Sequence, residues 1–260
     1  MQSRYLKIFK GMAKSARSAL RRSWLERRLP VREISGRSAL IVAPHPDDET
    51  FGAGGLIALK RTAGVSVRVL FLTGGEASHT ACCNTDRELI RSVRRQQASA
   101  ASVPLGLSPD DLIWSDFQDG NIPHEGSAGF EHAVAGMSEV ILRFQPDEIY
   151  CPHPADGHPD HRAATRITET AVKHSVPYIR IVYYTVWACY NAPHLISGGW
   201  RLDARPVYEK KAAAIREYLD QKPAPCGIPW CGRLPEAVIR SARSAVELYR
   251  DKALSRNNFP

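Results

Sequence analysis

No stretch of the 260 residues reaches the roughly eighteen consecutive apolar residues of a membrane-spanning helix, and the N-terminus lacks the apolar core of a secretory leader. The expectation is a soluble globular protein resident in the cytoplasm. No CxxC pair occurs among the six cysteines, at 82, 83, 151, 189, 226 and 231, which removes the usual zinc-ribbon and thiol-redox signatures. Cysteines scattered through a chain without a leader are expected to be reduced; Cys226 and Cys231 bracket a loop short enough for a disulfide, and there either state fits. No period of 20 to 50 residues recurs, which excludes solenoids and propellers. The run Gly52-Ala53-Gly54-Gly55 lacks the spacing of a phosphate-cradling loop and reads instead as a helix packed closely on a sheet.

Negative charge is missing from the start of the chain. Residues 1–32 hold ten Lys or Arg and one Glu, whereas the remainder holds 25 basic and 26 acidic residues, so the whole net charge of +8 is owed to the first segment. A nearly neutral body argues against a nucleic-acid partner. Within residues 1–29, Tyr5, Leu6, Phe9, Met12, Ala16, Leu20, Trp24 and Leu25 recur close to helical spacing among the cations. Three readings stay open: a solvated tail, a helix packed on the domain or an oligomer partner, and a helix lying on the anionic inner surface of a membrane. Residues 1–32 are therefore set apart from a domain spanning 33–260.

From residue 37 short apolar runs alternate with helical periodicity. Strands are predicted near 38–43, 65–72, 111–115, 147–151 and 179–187, and helices near 49–63, 86–102, 128–145, 159–174, 205–221 and, after a Pro- and Gly-rich loop, 236–252. That alternation predicts the α/β class, as a Rossmann-like three-layer α/β/α sandwich with a mostly parallel sheet.

Two strand-to-helix turns carry the chemistry. Ala39-Leu40-Ile41-Val42 leads into Pro44-His45-Pro46-Asp47-Asp48-Glu49, and Glu148-Ile149-Tyr150-Cys151 leads into His153-Pro154-Ala155-Asp156-Gly157-His158-Pro159-Asp160-His161. In open α/β sheets such turns converge at the carboxyl edge, where ligands bind. Pro and carboxylates also make an ordinary helix start, so either turn alone is weak evidence. Together they place two histidine-carboxylate groups at one edge. His45 and Asp48 share a helical face and Asp47 projects elsewhere, while spacing leaves His158 and His161 equally eligible as ligands.

On these two motifs the chain resembles the LmbE-like, or PIG-L-like, family of metal-dependent N-acetylglucosaminyl deacetylases. Weaker matches are Leu72-Thr73-Gly74-Gly75-Glu76, Arg94 to Gln97, Asp119-Gly120 and the helix at Lys210-Lys211-Ala212-Ala213. The resemblance implies Zn2+ held by His45, Asp48 and His161, with Asp47 as the base that takes a proton from water. It also implies His158 as an imidazolium facing the oxyanion, Asp160 fixing a histidine tautomer, and Arg94 and Asp119 gripping sugar hydroxyls. Gly74, Gln97 and Asp156 depart from residues frequent in the family, which leaves the substrate open. The implied activity is removal of acetyl from an N-acetylated amino sugar in a glycan, glycolipid or glycoconjugate. The alternatives are another N-acyl amide, or a membrane- or nucleic-acid-associated binding protein with a vestigial site.

Overall fold

Every residue from Ala39 to Ala43 is buried, and alternate ones face opposite layers. Ala39, Ile41 and Ala43 join one core and Leu40 and Val42 the other. A strand apolar on both sides is what a sheet covered on both faces requires. The computed structural model describes residues 20–79, 84–176, 178–187, 197–219 and 234–253. Residues 1–19 of the basic segment, the Cys82-Cys83 pair, Cys189, His194, and Cys226 with Cys231 lie outside them. Cys151 is a buried free thiol.

The chain runs α1 (residues 20–28), β1 (Ala39–Ala43), α2 (Asp48–Thr62), β2 (Val67–Thr73), α3 (Arg87–Ser102), β3 (Leu112–Phe117), α4 (Phe130–Phe144), β4 (Glu148–Pro152), α5 (Pro159–Ser175), β5 (Arg180–Tyr184), β6 (Gly199–Asp203), α6 (Tyr208–Leu219), α7 (Glu236–Ala242) and β7 (Val246–Asp251). The seven strands order as β3-β2-β1-β4-β5-β7-β6. β1, β2, β3, β4 and β5 pair in parallel, and β7 runs against both β5 and β6. Helices α2, α3, α6 and α7 cover one face, α4 and α5 the other. This is the expected three-layer sandwich with a mostly parallel sheet.

The chain end differs from expectation. The helix predicted at 236–252 stops at Ala242, and Val246 to Asp251 form a strand instead. The reason is a change of period: Leu248 turns to α1 while Tyr249 stacks on Trp200 at the opposite face. β6 was not anticipated, and β5 ends at Tyr184 rather than 187.

Glycines set how closely α2 lies on the sheet. A Cβ on Gly52 would stand 2.2 Å from the Tyr184 ring, and one on Gly55 would stand 2.4 Å from the Ala204 Cβ. Beneath α2 the buried Lys60 ammonium meets Glu148 at 3.0 Å and donates to the carbonyls of Ser35 and Arg37. At the far end of the sheet α1 docks Leu25 and Leu29 against Leu248. The backbone after α1 continues this contact, with Arg201 N–H donating to the Pro30 carbonyl and Arg32 N–H to the Arg201 carbonyl.

Candidate active site

β1 and β4 lie side by side at the centre of the sheet, with β2 continuing to one side and β5 to the other. The crossovers diverge there and open a crevice at the carboxyl edge. His45, Asp47 and Asp48 follow β1, Glu76 follows β2, Asp119 follows β3, Asp156 to His161 follow β4, and Trp187 follows β5. All of the residues expected at the site meet here.

Asp48 is the hinge of the donor set. Its Oδ2 stands 3.1 Å from His45 Nδ1 and 3.1 Å from His161 Nε2, and accepts the His45 N–H at 3.0 Å. The far nitrogen of each histidine is engaged by a carboxylate. His45 Nε2 lies 3.0 Å from Asp160 and 3.1 Å from Asp119, and His161 Nδ1 lies 2.6 Å from Asp156. Donation from those nitrogens leaves His45 Nδ1 and His161 Nε2 with lone pairs directed at Asp48. His161 Nε2 is buried and makes no hydrogen bond.

An orphaned imidazole nitrogen beside a buried carboxylate fits a divalent cation. Ligand atoms about 2.0–2.1 Å from one ion stand roughly 3.3 Å apart, close to the spacing found. Charge agrees with geometry. Burial pushes the Asp48 carboxyl up, but the two histidines outweigh it and hold the group well below the carboxylate range. Burial pulls His161 down, yet Asp48 and Asp156 bring it to about 9, and His45 is likewise raised by Asp119, Asp160 and Asp48 against its burial. Both shifts favour the protonated rings, so a metal at this site competes with protons.

Asp47 caps α2 and points away from this set. Its carboxylate accepts from Arg94 Nη2 at 3.0 Å, and Arg94 also donates to the Pro46 carbonyl. Burial raises the Asp47 pKa to about 6 against the pull of Arg94. Arg94 thus meets the expected base directly. A Cβ on Gly75 would lie 2.1 Å from Arg94 Nε, so this turn leaves the arginine its path. Asp119 is nine-tenths buried, accepts from Ala77 N–H at 2.7 Å and faces His45. Asp160 also accepts from Gly120 N–H at 2.8 Å, tying the loop after β3 to the start of α5.

His158 caps α5, its Nδ1 accepting the Asp160 N–H at 3.3 Å. Its ring is edge-on to His45 at 5.0 Å between centroids, and burial followed by the neighbouring histidine charges lowers its pKa. A nitrogen of His158 comes within 4.8 Å of one on His45 and one on His161. Sequence reasoning missed Asp156 as the partner of His161. The carboxylate also accepts from the Val186 and Trp187 N–H groups at 3.1 and 2.8 Å, which pins the end of β5 to the site. Its place five residues before His161 was the only sign. His153 accepts from Ala155 N–H and His124 sits on the surface, neither at the donor set.

The family model described as GlcNAc-PI de-N-acetylase matches residues 40–172, just over half of the chain and all of the turns after β1, β2, β3 and β4. The chain belongs to the PIG-L family. Among PIG-L relatives, a Bacillus cereus protein named "Probable N-acetyl-alpha-D-glucosaminyl L-malate deacetylase 2" is 31% identical over 153 residues, covering 58% of this chain and 67% of the relative. The 1D-myo-inositol 2-acetamido-2-deoxy-alpha-D-glucopyranoside deacetylase of Rhodococcus erythropolis is 27% identical over 233 residues, covering 82% and 76%. In fold alone the chain is also similar to the 4-carboxy-2-hydroxymuconate hydratase of Pseudomonas putida, with TM-score 0.60, 21% identity and coverage of 85% and 99%. A fold like this one therefore also carries a hydratase, and the reaction has to be argued from the site.

Proposed function

We propose that this protein is a metal-dependent hydrolase that removes the acetyl group from an N-acetylglucosamine-type amino sugar carried on a larger molecule. The observation that carries the reading is the pairing of an orphaned His161 Nε2 and Asp48 with a separate half-buried carboxylate, Asp47, in a chain of the de-N-acetylase family. His45, Asp48 and His161 would hold the ion, and two nitrogens with one oxygen suit Zn2+. When bound, such an ion polarises the amide carbonyl and makes water acidic near neutral pH.

The remaining work belongs to side chains. Asp47 takes the proton of the attacking water and returns it to the leaving amine, its raised pKa matching that exchange. His158 faces the carbonyl oxygen. Because Asp160 N–H occupies Nδ1, the proton of a neutral imidazole sits on Nε2, so His158 donates to the oxyanion without first being charged. Asp160 and Asp119 orient His45, and Asp156 orients His161. Arg94 holds Asp47, and its grip on a sugar hydroxyl rests on the family resemblance.

Purified protein, loaded with Zn2+ or treated with chelator, should be offered N-acetylglucosamine linked to inositol, to malate and to a phospholipid. Acetate release that depends on metal and is lost in Asp47→Asn supports the reading. Full metal loading with no acetate from any conjugate would return the site to another N-acyl amide or to a binding role. A further proposal concerns residues 1–32: their excess of cations on a neutral body suits contact with an anionic membrane, beside a catalytic unit at 33–260 onto which α1 packs.

A further inference from the structure

Asp47 holds φ 117° and ψ −29°, one of two non-glycine residues at positive φ among the described residues. An aspartate stays in that region only where its surroundings fix it. Arg94 fixes the carboxylate and the preceding carbonyl. The peptide nitrogen is fixed from another direction: Asp47 N–H donates to Glu49 Oε2 at 3.0 Å.

Glu49 is not a solvated first-turn acid. It is 3% exposed, and its Oε1 accepts from the Thr50 hydroxyl at 2.6 Å and from the Tyr218 hydroxyl at 2.8 Å. Tyr218 belongs to α6, far along the chain, and its ring meets Phe51 edge-on at 6.0 Å between centroids. A carboxylate reaching back to the N–H of a helix cap is half of a capping box. Here that half is buried and braced by a second helix. If the acceptor is removed, Asp47 N–H becomes an orphan donor, and the cheapest relief is rotation of the turn, which swings the Asp47 carboxylate away.

We propose that Glu49, braced by Tyr218, is a positioning residue that clamps the Asp47 peptide and thereby aims the Asp47 carboxylate; this rests on the assignment of Asp47 as the base. Acting through Asp47, it governs turnover rather than substrate or metal binding. A misplacement of about 1 Å costs on the order of 10²-fold in rate.

The test compares Glu49→Ala with Glu49→Gln. A Gln oxygen still accepts from Asp47 N–H, and its amide donates to the Tyr218 hydroxyl where the carboxylate accepted from it, so the clamp survives without a charge. Glu49→Ala should lower kcat about 10- to 100-fold with KM and metal content unchanged, and Glu49→Gln should restore most of it. Combined with Asp47→Asn, Glu49→Ala should add no further loss. Hydrogen exchange at the Asp47 amide, followed by NMR, reads the clamp without any substrate: slow in the native protein and in Glu49→Gln, fast in Glu49→Ala. Equal inactivity of the Gln and Ala variants, a loss that tracks metal content, or unchanged exchange in Glu49→Ala would each overturn the proposal. A native protein inactive on every amino sugar, with the exchange pattern as expected, would instead reject Asp47 as the base of that reaction.

Discussion

His161 offers one nitrogen to the site only because Asp156 holds the other at 2.6 Å. Asp156→Asn keeps the volume and the acceptor for the Trp187 N–H but loses the anion that fixes the ring. Zn2+ affinity should fall about 10- to 100-fold, as read by chelator competition, whereas a variant that binds as tightly as the native protein would make Asp156 a mere prop for β5. His158 and His161, only three residues apart in sequence, separate in the same assay. His161→Ala should lose most metal, and His158→Ala should keep metal while kcat drops about 10²- to 10³-fold. A His158→Ala protein depleted of metal would make His158 a ligand. Sequence reached His45, Asp47, Asp48, His158, Asp160 and His161 because all lie in two short turns whose place at the sheet edge is dictated by flanking strands. It did not reach the pairing of Asp156 with His161 or of Glu49 with Tyr218. Those depend on rotations at Gly157, with φ 91°, and on the docking of α6, which residue spacing does not encode.

The elements that position this site are held by close approach and by buried ion pairs, Lys60 with Glu148 and Lys211 with Glu247. Ala in place of Gly55 improves helix propensity by about 1 kcal/mol. Its Cβ nonetheless falls 2.4 Å from Ala204 and 3.0 Å from the Glu247 carboxylate, which accepts from Gly55 N–H and Leu56 N–H. Overpacking of this kind costs roughly 1–3 kcal/mol, so Gly55→Ala should lower Tm, while Gly36→Ala, with nothing within 4 Å of the added carbon, should not. Lys60→Met removes one of the two cations on buried Glu148, leaving Arg180 at 2.8 Å on the other oxygen, and should cost less than the about 3–5 kcal/mol of a fully unpaired buried charge in urea denaturation. Burial works to raise the Glu148 pKa, but Ser35 and Lys60 hold it below the ordinary value. The stability it contributes is present above the unfolded pKa of about 4.3 and is lost as pH falls through the lower folded value, so native and Lys60→Met proteins should converge in acid. Strands β1, β2, β3, β4 and β5 and the helices between them were legible from period alone. β7 was not, because Glu236 to Ala242 begin a helix and nothing short of tertiary pairing tells Val246 to stop it.

At the scale of the whole molecule, charge and packing divide the first segment at a different point from composition. The cation-rich stretch ends at residue 32, but the body already begins at α1. Leu25 and Leu29 are buried on Leu248, Arg22 donates to Ser241 Oγ at 2.6 Å, and Arg32 pairs with Asp251 at 2.5 Å. Burying two leucines is worth about 3–6 kcal/mol, so a protein lacking residues 1–32 should unfold at lower urea than the full chain. One lacking residues 1–19 keeps the α1 contacts and should unfold at higher urea than the protein lacking residues 1–32. The shorter truncation is therefore the fair test of membrane contact. It removes five Lys or Arg and no acid, each worth on the order of 1 kcal/mol near an anionic surface. It leaves the exposed Leu20 and Trp24 in place. The docked helix also sets direction: Arg22 donates to the Val246 carbonyl at the start of β7, and β7 runs against β5, so α1 begins toward the edge where β5 ends and the site opens. The full chain should sediment with vesicles of phosphatidylcholine and phosphatidylserine, less so in high salt, and should act faster on a lipid-linked amino sugar than the protein lacking residues 1–19. Both should act equally on a soluble one. Screening by salt separates charge attraction from apolar adhesion. Equal sedimentation of the two proteins with anionic and with purely zwitterionic vesicles would end the membrane reading and leave α1 as a strap across β6 and β7.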